Sequence, residues 1–240
     1  MAPTQCYTCN LTQNSSPKLR AMILAAGPGT RLRPLTDTTP KPLIEVRGTP
    51  LIVHQIGWLR TAGIQEIVIN VHHLADQLIN HLGNGSRFGV RITFMRESEL
   101  LNTGGGIVNA LPHLGQRPFL LMNGDVWTNF PFTHLVRHQT NQGHLVLTPV
   151  RNESNRDFAL DGDIVQRFDD LACHDLTYSG IAVLHPSIFR AREAIPFSLT
   201  RDLLFAFIHQ RKVTGEVFDG DWLDIGSPDN LSKLRDSTES

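Results

Sequence analysis

Cysteine is scarce in this chain of 240 residues: only Cys6, Cys9 and Cys173 are present. Three thiols cannot build the disulfide framework of a secreted fold, and residues 1–19 lack the positive start and apolar stretch of a secretion signal. A reducing, cytoplasmic compartment is therefore expected. The Cys6-x-x-Cys9 spacing could supply half of a zinc site, but with Cys173 alone remaining the other half is missing. No apolar run reaches the roughly 18 residues of a membrane span, which excludes a membrane partner. Neither charge dominates: 22 Lys and Arg stand against 23 Asp and Glu, which leaves no field to attract DNA or RNA. Internal repeats and low-complexity linkers are absent too. What remains is the composition of an ordinary globular protein, 40% hydrophobic and 19% charged. The polar residues 1–19 read as a disordered extension and residues 20–236 as a single domain.

Against that background one stretch stands out. The apolar run Ala21-Met22-Ile23-Leu24 leads into Ala25-Ala26-Gly27-Pro28-Gly29-Thr30-Arg31. Gly27 and Gly29 remove the side chains that would keep a ligand from the backbone, so amide N–H groups can turn toward an anion. Leu24, Ala25, Ala26, Gly27, Gly29 and Thr30 are accordingly the candidate nucleotide-contacting residues of the turn. Arg31, Arg33 and Lys41 bring three cations to the same region, and a guanidinium fork can grip two phosphate oxygens at once. The expected ligand is a polyphosphate. Two familiar phosphate signatures are excluded by the letters: the P-loop needs four residues between its glycines, and the dinucleotide fingerprint needs a third glycine where Leu32 stands.

Strand-like apolar runs at Ala21–Ala25, Glu66–Asn70, Arg91–Met95, Phe119–Met122 and Leu145–Val150 alternate with longer helical patterns. This order predicts an α/β fold, Rossmann-like and doubly wound, with a mostly parallel mixed sheet. Pro50 suits the first turn of a helix carrying Leu51, Ile52, Ile56 and Leu59, and Gly63 suits its end. The second half departs from the pattern. Phe158 to Phe168, turning at Asp161-Gly162, reads as an antiparallel hairpin that could serve as a lid or wall. Thr177–Leu184 reads as a strand, Leu199–His209 as a helix, and Val213–Val217 with Trp222–Ile225 as a closing strand pair. Ligands in such sheets gather at the carboxyl ends of the strands, where the glycine turn and the loop after Met122 both belong.

Asp125, in Asn123-Gly124-Asp125, follows one of these strands, and Asp224, in Trp222-Leu223-Asp224-Ile225-Gly226, occupies a similar setting. Either could be a turn or cap residue. Beside a polyphosphate, however, two hard carboxylates are what Mg²⁺ takes, and Asp125 with Asp224 is the expected metal pair. His54, His72 and His73 have no carboxylate at ligand spacing and read as ordinary surface or core histidines.

The turn Gly27-Pro28-Gly29-Thr30-Arg31, followed after nine residues by Lys41, resembles the signature of the sugar-phosphate nucleotidyltransferases. Asp125 and Asp224 match that family's metal aspartates, and Thr103-Gly104-Gly105-Gly106 resembles its base-side loop. The resemblance implies that Thr103, Gly104 and Asn123 contact the nucleotide and that backbone groups read a pyrimidine edge. The alternative is that those glycines only open a helix over Ile107–Leu111. Tyr178, Ser179 and Gly180 resemble the loop lining the sugar pocket.

The resemblance spans residues 20–233, and without a hexapeptide repeat the chain looks like a compact member. Among compact members its loops look most like those of enzymes that uridylylate N-acetylmuramate α-1-phosphate in cell-wall sugar recycling. Pro28 and Asn102 depart from the family pattern, which often has a polar and an acidic residue there. The implied reaction joins UTP and a sugar 1-phosphate into a UDP-sugar and pyrophosphate, with Arg31 and Lys41 catalytic and Mg²⁺ as cofactor. Guanylyl or thymidylyl transfer to mannose or glucose 1-phosphate is the alternative, and a non-catalytic nucleotide sensor is the alternative of another class.

Overall fold

Ala21-Met22-Ile23-Leu24 carries no polar side chain, so it suits a strand covered on both faces, and its first three residues are fully buried. It is the central strand β1 (Ala21–Leu24) of the computed structural model, which describes residues 19–150, 157–167 and 176–236. The expected extension through residue 18, with Cys6 and Cys9, lies outside the described residues, as does Cys173.

From β1 the chain runs through α1 (Leu35–Thr38), β2 (Glu45–Val46), β3 (Thr49–Pro50) and α2 (Leu51–Thr61). Then come β4 (Glu66–Val71), α3 (Ala75–Leu82), β5 (Arg91–Arg96), α4 (Asn102–Leu114), β6 (Phe119–Asn123) and β7 (Val126–Thr128). The remainder comprises β8 (Gly143–Pro149), β9 (Phe158–Asp161), β10 (Ile164–Arg167), β11 (Leu176–Leu184), α5 (Phe205–His209), β12 (Val213–Val217), β13 (Trp222–Asp224) and α6 (Pro228–Asp236).

Nine strands form one mixed sheet in the order β5-β4-β1-β6-β11-β8-β12-β10-β9. The first four are mutually parallel, the doubly wound half that the alternating pattern predicts. Helices cover both faces: Ile52, Ile56 and Leu59 of α2 with Leu78 and Leu82 of α3 pack on one, and Ile107, Ala110 and Leu114 of α4 with Ile208 of α5 on the other. From β6 onward most pairings are antiparallel. The hairpin β9–β10 forms where Asp161-Gly162 places it, with Gly162 at φ +63°. Because β9 also pairs with β11 through Leu176 and Phe158, the strands β11, β8, β12, β10 and β9 close into a ring.

Two sequence expectations change. Val213–Val217 and Trp222–Ile225 do not pair with each other: β12 runs parallel to β8, whereas β13 pairs antiparallel with β7. Both stretches have strand character, but their partners are set by the sheet each one reaches. The helix expected over Ile107–Leu111 begins earlier, at Asn102, so Thr103–Gly106 form its first turns rather than a loop before it.

Candidate active site

The carboxyl ends of the parallel strands meet in register. Leu24 on β1 lies level with Asn70 on β4 and with Asn123 on β6, and a cleft of about 310 Å³ opens above them. Its lining includes Leu24, Ala25, Ala26, Gly27 and Gly29 from the glycine turn, together with Lys41, Thr103, Asn123 and Asp125. Stretches up to a hundred residues apart in the chain thus meet at one cleft, whose lining does not include Arg31 or Asp224. Gly29 is held at φ +65°, and its carbonyl accepts hydrogen bonds from Leu32 N and from the buried Thr36 hydroxyl. A side chain at this glycine would meet Thr36 Cγ2 at 2.9 Å, which explains the residue type independently of any ligand.

Lys41 Nζ lies 2.6 Å from Asp125 Oδ2, so the cation after the turn and the carboxylate after β6 are already in contact. Gly124 makes this loop feasible, because a Cβ there would sit 2.5 Å from the Leu24 carbonyl oxygen. Asp224 arrives by the ribbon that the sequence did not predict. Val126 of β7 pairs with Asp224 of β13, and Ile225 N donates to the Asp125 carbonyl at 2.8 Å. Asp125 thus lies in the turn one residue before the Val126 that pairs with Asp224. A Cβ on Gly226 would fall 2.7 Å from Arg31 Nη2 and 3.3 Å from Asp224 Oδ2, which puts the Arg31 guanidinium on the Asp224 side of the site. Leu32 and Ile44 pack with Ile225, Leu231 and Leu234, so α6 anchors the arginine turn and the Asp224 strand to one small apolar core.

The donor set suits a hard divalent cation. Asp125 Oδ2 is occupied by Lys41 and Asp224 Oδ1 by Asn230 Nδ2 at 2.6 Å, and each carboxylate keeps its other oxygen without a hydrogen bond among the described residues. No group of three or more His, Cys, Asp or Glu is gathered for a metal among the described residues, so any cation here would take the rest of its shell from phosphate and water.

Several expected residues sit differently. Arg33 turns away from the cleft to pair with Asp37 at 3.0 Å, and Thr30 is exposed outside the cleft lining. The Gly104 amide donates to the Phe197 carbonyl at 2.9 Å, and a Cβ on Gly104 or Gly105 would run into Phe197 or the Ile195 carbonyl. Helix packing therefore accounts for these glycines, while Thr103 alone of this motif lines the cleft. Gly180, at φ +81°, forms a bulge in β11 and lies against the Asn123 side chain. The buried Ser179 hydroxyl donates to the Val146 carbonyl at 2.7 Å, and the Ser179 carbonyl accepts from Trp222 Nε1, so this serine shapes the bulge through both groups. The Tyr178 hydroxyl is buried without a hydrogen-bond partner among the described residues, and burial pushes its pKa up. His54, His72 and His73 each bond a backbone carbonyl, as their structural reading requires.

Sequence reasoning missed three polar residues that brace the cleft, of which Asn70 also lines it. Gln55, fully buried on α2, donates from Nε2 to the carbonyls of Asn123 and Val126, bracketing the Asp125 loop. Asn70 and Glu97, both buried, are bonded to each other at 2.7 Å. A polar residue at an apolar position of a strand or helix is the only local signal any of them leaves.

The nucleotidyl transferase profile matches residues 20–168. N-acetylmuramate α-1-phosphate uridylyltransferase of Neisseria meningitidis is 42% identical over 225 residues, covering 90% of this chain and 97% of that protein. The catalytic subunit beta of mannose-1-phosphate guanylyltransferase from Drosophila pseudoobscura is 33% identical; the match covers 87% of this chain but 59% of that longer protein. In fold, the chain is similar to a Bacillus anthracis protein described as a glucose-1-phosphate thymidylyltransferase, crystallised with a sucrose, at a TM-score of 0.81 and 19% identity over 92% of this chain and 96% of that one. Yersinia pseudotuberculosis HddC gives 0.74 at 24% identity, covering 92% and 100%. With a profile over more than half its length and a relative aligned nearly end to end, this chain belongs to the nucleotidyl transferase family and is a sugar-phosphate nucleotidyltransferase.

Proposed function

We propose that this protein transfers the uridylyl group of UTP to a sugar 1-phosphate, N-acetylmuramate α-1-phosphate, forming a UDP-sugar and pyrophosphate with Mg²⁺ as cofactor. The observation that carries the reaction class is the Lys41–Asp125 contact in the lining of the glycine-turn cleft, with Asp224 on the strand that pairs with β7. The choice of base and sugar is supported by the end-to-end match to the Neisseria enzyme. A role in cell-wall sugar recycling, in the cytoplasm where UTP is available, belongs to the same reading. No helix among the described residues is long and apolar enough to cross a membrane.

An oxygen of the sugar phosphate attacks the α-phosphorus of UTP in line, forming the new P–O bond as the bond to pyrophosphate breaks. No proton need be removed, since a phosphate monoester is ionised near neutral pH. The backbone amides of the Gly27–Thr30 turn, with Arg31, hold the β- and γ-phosphates, and Thr103 and Asn123 contact the nucleoside part. Lys41 stands between the two substrates and spreads the charge that develops at the α-phosphate. Asp125 and Asp224 would hold Mg²⁺, which supplies charge neutralisation on the reacting phosphates. Tyr178, Ser179 and Gly180 would back the sugar end of the cleft from behind Asn123, against whose side chain the Gly180 bulge lies.

Measuring pyrophosphate release with four nucleoside triphosphates against a panel of sugar 1-phosphates tests the proposal. Release with UTP and N-acetylmuramate 1-phosphate above all other pairs is the expected result. Preference for GTP or dTTP would replace the base assignment, and tight nucleotide binding without release from any pair would make the protein a sensor.

A further inference from the structure

Two walls of the cleft hang from one buried pair of side chains. Asn70, at the end of β4, accepts a hydrogen bond from Ala25 N of the glycine turn at 2.9 Å. Its Nδ2 donates to Glu97 Oε1 at 2.7 Å, and Glu97 Oε2 accepts from Leu101 N at 3.1 Å, immediately before the helix that carries Thr103. Asn70 is 2% exposed and Glu97 4%. No lysine or arginine pairs with Glu97 among the described residues, so its charge depends on these two N–H donors. A buried carboxylate that loses a donor is poorly solvated, which makes the connection stiff. Gly106 leaves the space for it: a Cβ there would lie 2.8 Å from both Asn70 Nδ2 and Glu97 Oε1.

We infer that Asn70 and Glu97 are positioning residues that set the spacing between the phosphate end and the base end of the cleft, and thereby help to decide which nucleoside triphosphate reacts. The inference rests on the cleft being the nucleotide site. The base and the α-phosphorus of a nucleotide are separated by a fixed covalent length. A base that seats badly on the Leu100–Thr103 wall therefore shifts the phosphorus out of line, provided that this wall and the turn cannot move independently. Alignment of the reacting atoms is steep in energy, so a rigid spacer converts a small misfit at the base into a large loss of rate. A loosened spacer lets the wrong nucleotide align as well.

The test compares kcat/KM for the preferred and the next-best nucleoside triphosphate in the full-length enzyme and in Glu97→Gln. The variant keeps the shape of the side chain but can no longer accept from both partners. The expected result is a fall in that ratio of about tenfold, the scale of one buried hydrogen bond to a charged group, with KM for the sugar phosphate unchanged. Gly106→Ala, which wedges the pair apart without altering either group, is expected to act in the same direction. An unchanged ratio in both variants, with only Tm lowered, would mean that the pair is merely structural and would overturn the inference. Should Gly106→Ala fail to fold, amide exchange in Glu97→Gln supplies the second readout. Faster exchange at both Ala25 and Leu101 is expected, and loss of protection at one amide alone overturns the idea of a shared spacer. The preferred nucleotide is established first on the unaltered enzyme. A preference for GTP would therefore revise the proposed substrate while leaving this ratio just as informative.

Discussion

Lys41 Nζ and Asp125 Oδ2 are 2.6 Å apart although 84 residues separate them in the chain. Both side chains are largely shielded, at 13% and 28% exposure, so the contact is closer to a fixed electrostatic element than to a solvated surface pair. Replacing Lys41 by Ala, or Arg31 by Ala, is expected to cost about 2–4 kcal/mol of transition-state stabilisation, the range for one preorganised electrostatic contact. Steady-state pyrophosphate release measures it, and unchanged kcat/KM in both variants would remove these roles.

Asp125→Asn and Asp224→Asn should each raise the Mg²⁺ concentration needed for half-maximal rate while leaving the far-ultraviolet circular dichroism unaltered. Asn230→Ala is expected to act more weakly in the same direction, because Asn230 Nδ2 orients Asp224 through Oδ1 at 2.6 Å. A metal titration that superimposes on that of the unaltered enzyme in all three would show that the cation is held elsewhere.

Gln55→Leu leaves the carbonyls of Asn123 and Val126 without their shared donor. The expected loss in unfolding free energy is about 1–3 kcal/mol, the penalty for a buried group deprived of its partner. Chemical denaturation reads it directly, and kcat should fall as well because the freed segment carries Asp125.

Gly180→Ala combines two costs, a backbone at φ +81° and a Cβ within 2.9 Å of the Asn123 side chain. A residue held in such a backbone region costs about 1–3 kcal/mol, and a lower Tm with a raised KM for the sugar phosphate is the expected pair of effects. A variant of native stability would show that the bulge relaxes freely.

Stability should decline in acid. At Glu216, burial pushes the carboxyl up, but hydrogen bonds from His144 and His134 and their charges outweigh it and leave the pKa below the ordinary value of 4.5. At His138, burial and then the neighbouring His144 hold the imidazole below its ordinary 6.5, with Glu216 opposing and His134 adding to the fall. In both cases the unfolded chain binds the proton more readily than the fold does, so stability rises with pH. The His138 contribution is complete above pH 6.5 and is lost as pH falls through its lowered folded value; the Glu216 contribution is lost below 4.5. Tm measured from about pH 8 to about pH 4 should fall across this window, with a flatter profile in His138→Gln.

The residue types that gather around the cleft were legible because their signals are local. An apolar strand entering a glycine turn constrains where backbone amides point, and the residue types at 31, 41, 125 and 224 declare their charge wherever they lie. Roles that depend on what faces a residue were less readable. Gly104 and Gly105 look like ligand-approach glycines, yet it is Phe197 and the Ile195 carbonyl that occupy the space a side chain would need. Arg33 has the same charge and nearly the same position in sequence as Arg31, but one turn of helix offers it Asp37.

The sequence by itself determined the parallel βαβ half, the glycine turn and the chemical inventory of two cations and two carboxylates, because backbone propensity and charge are properties of short segments. Only the tertiary structure decided that β13 pairs with β7 rather than with β12, that Asp224 thereby pairs with the residue after Asp125, and that Gln55, Asn70 and Glu97 brace the cleft. Those outcomes depend on strand register and buried hydrogen bonds between distant segments, and the energy that selects them arises only once the core has closed around them.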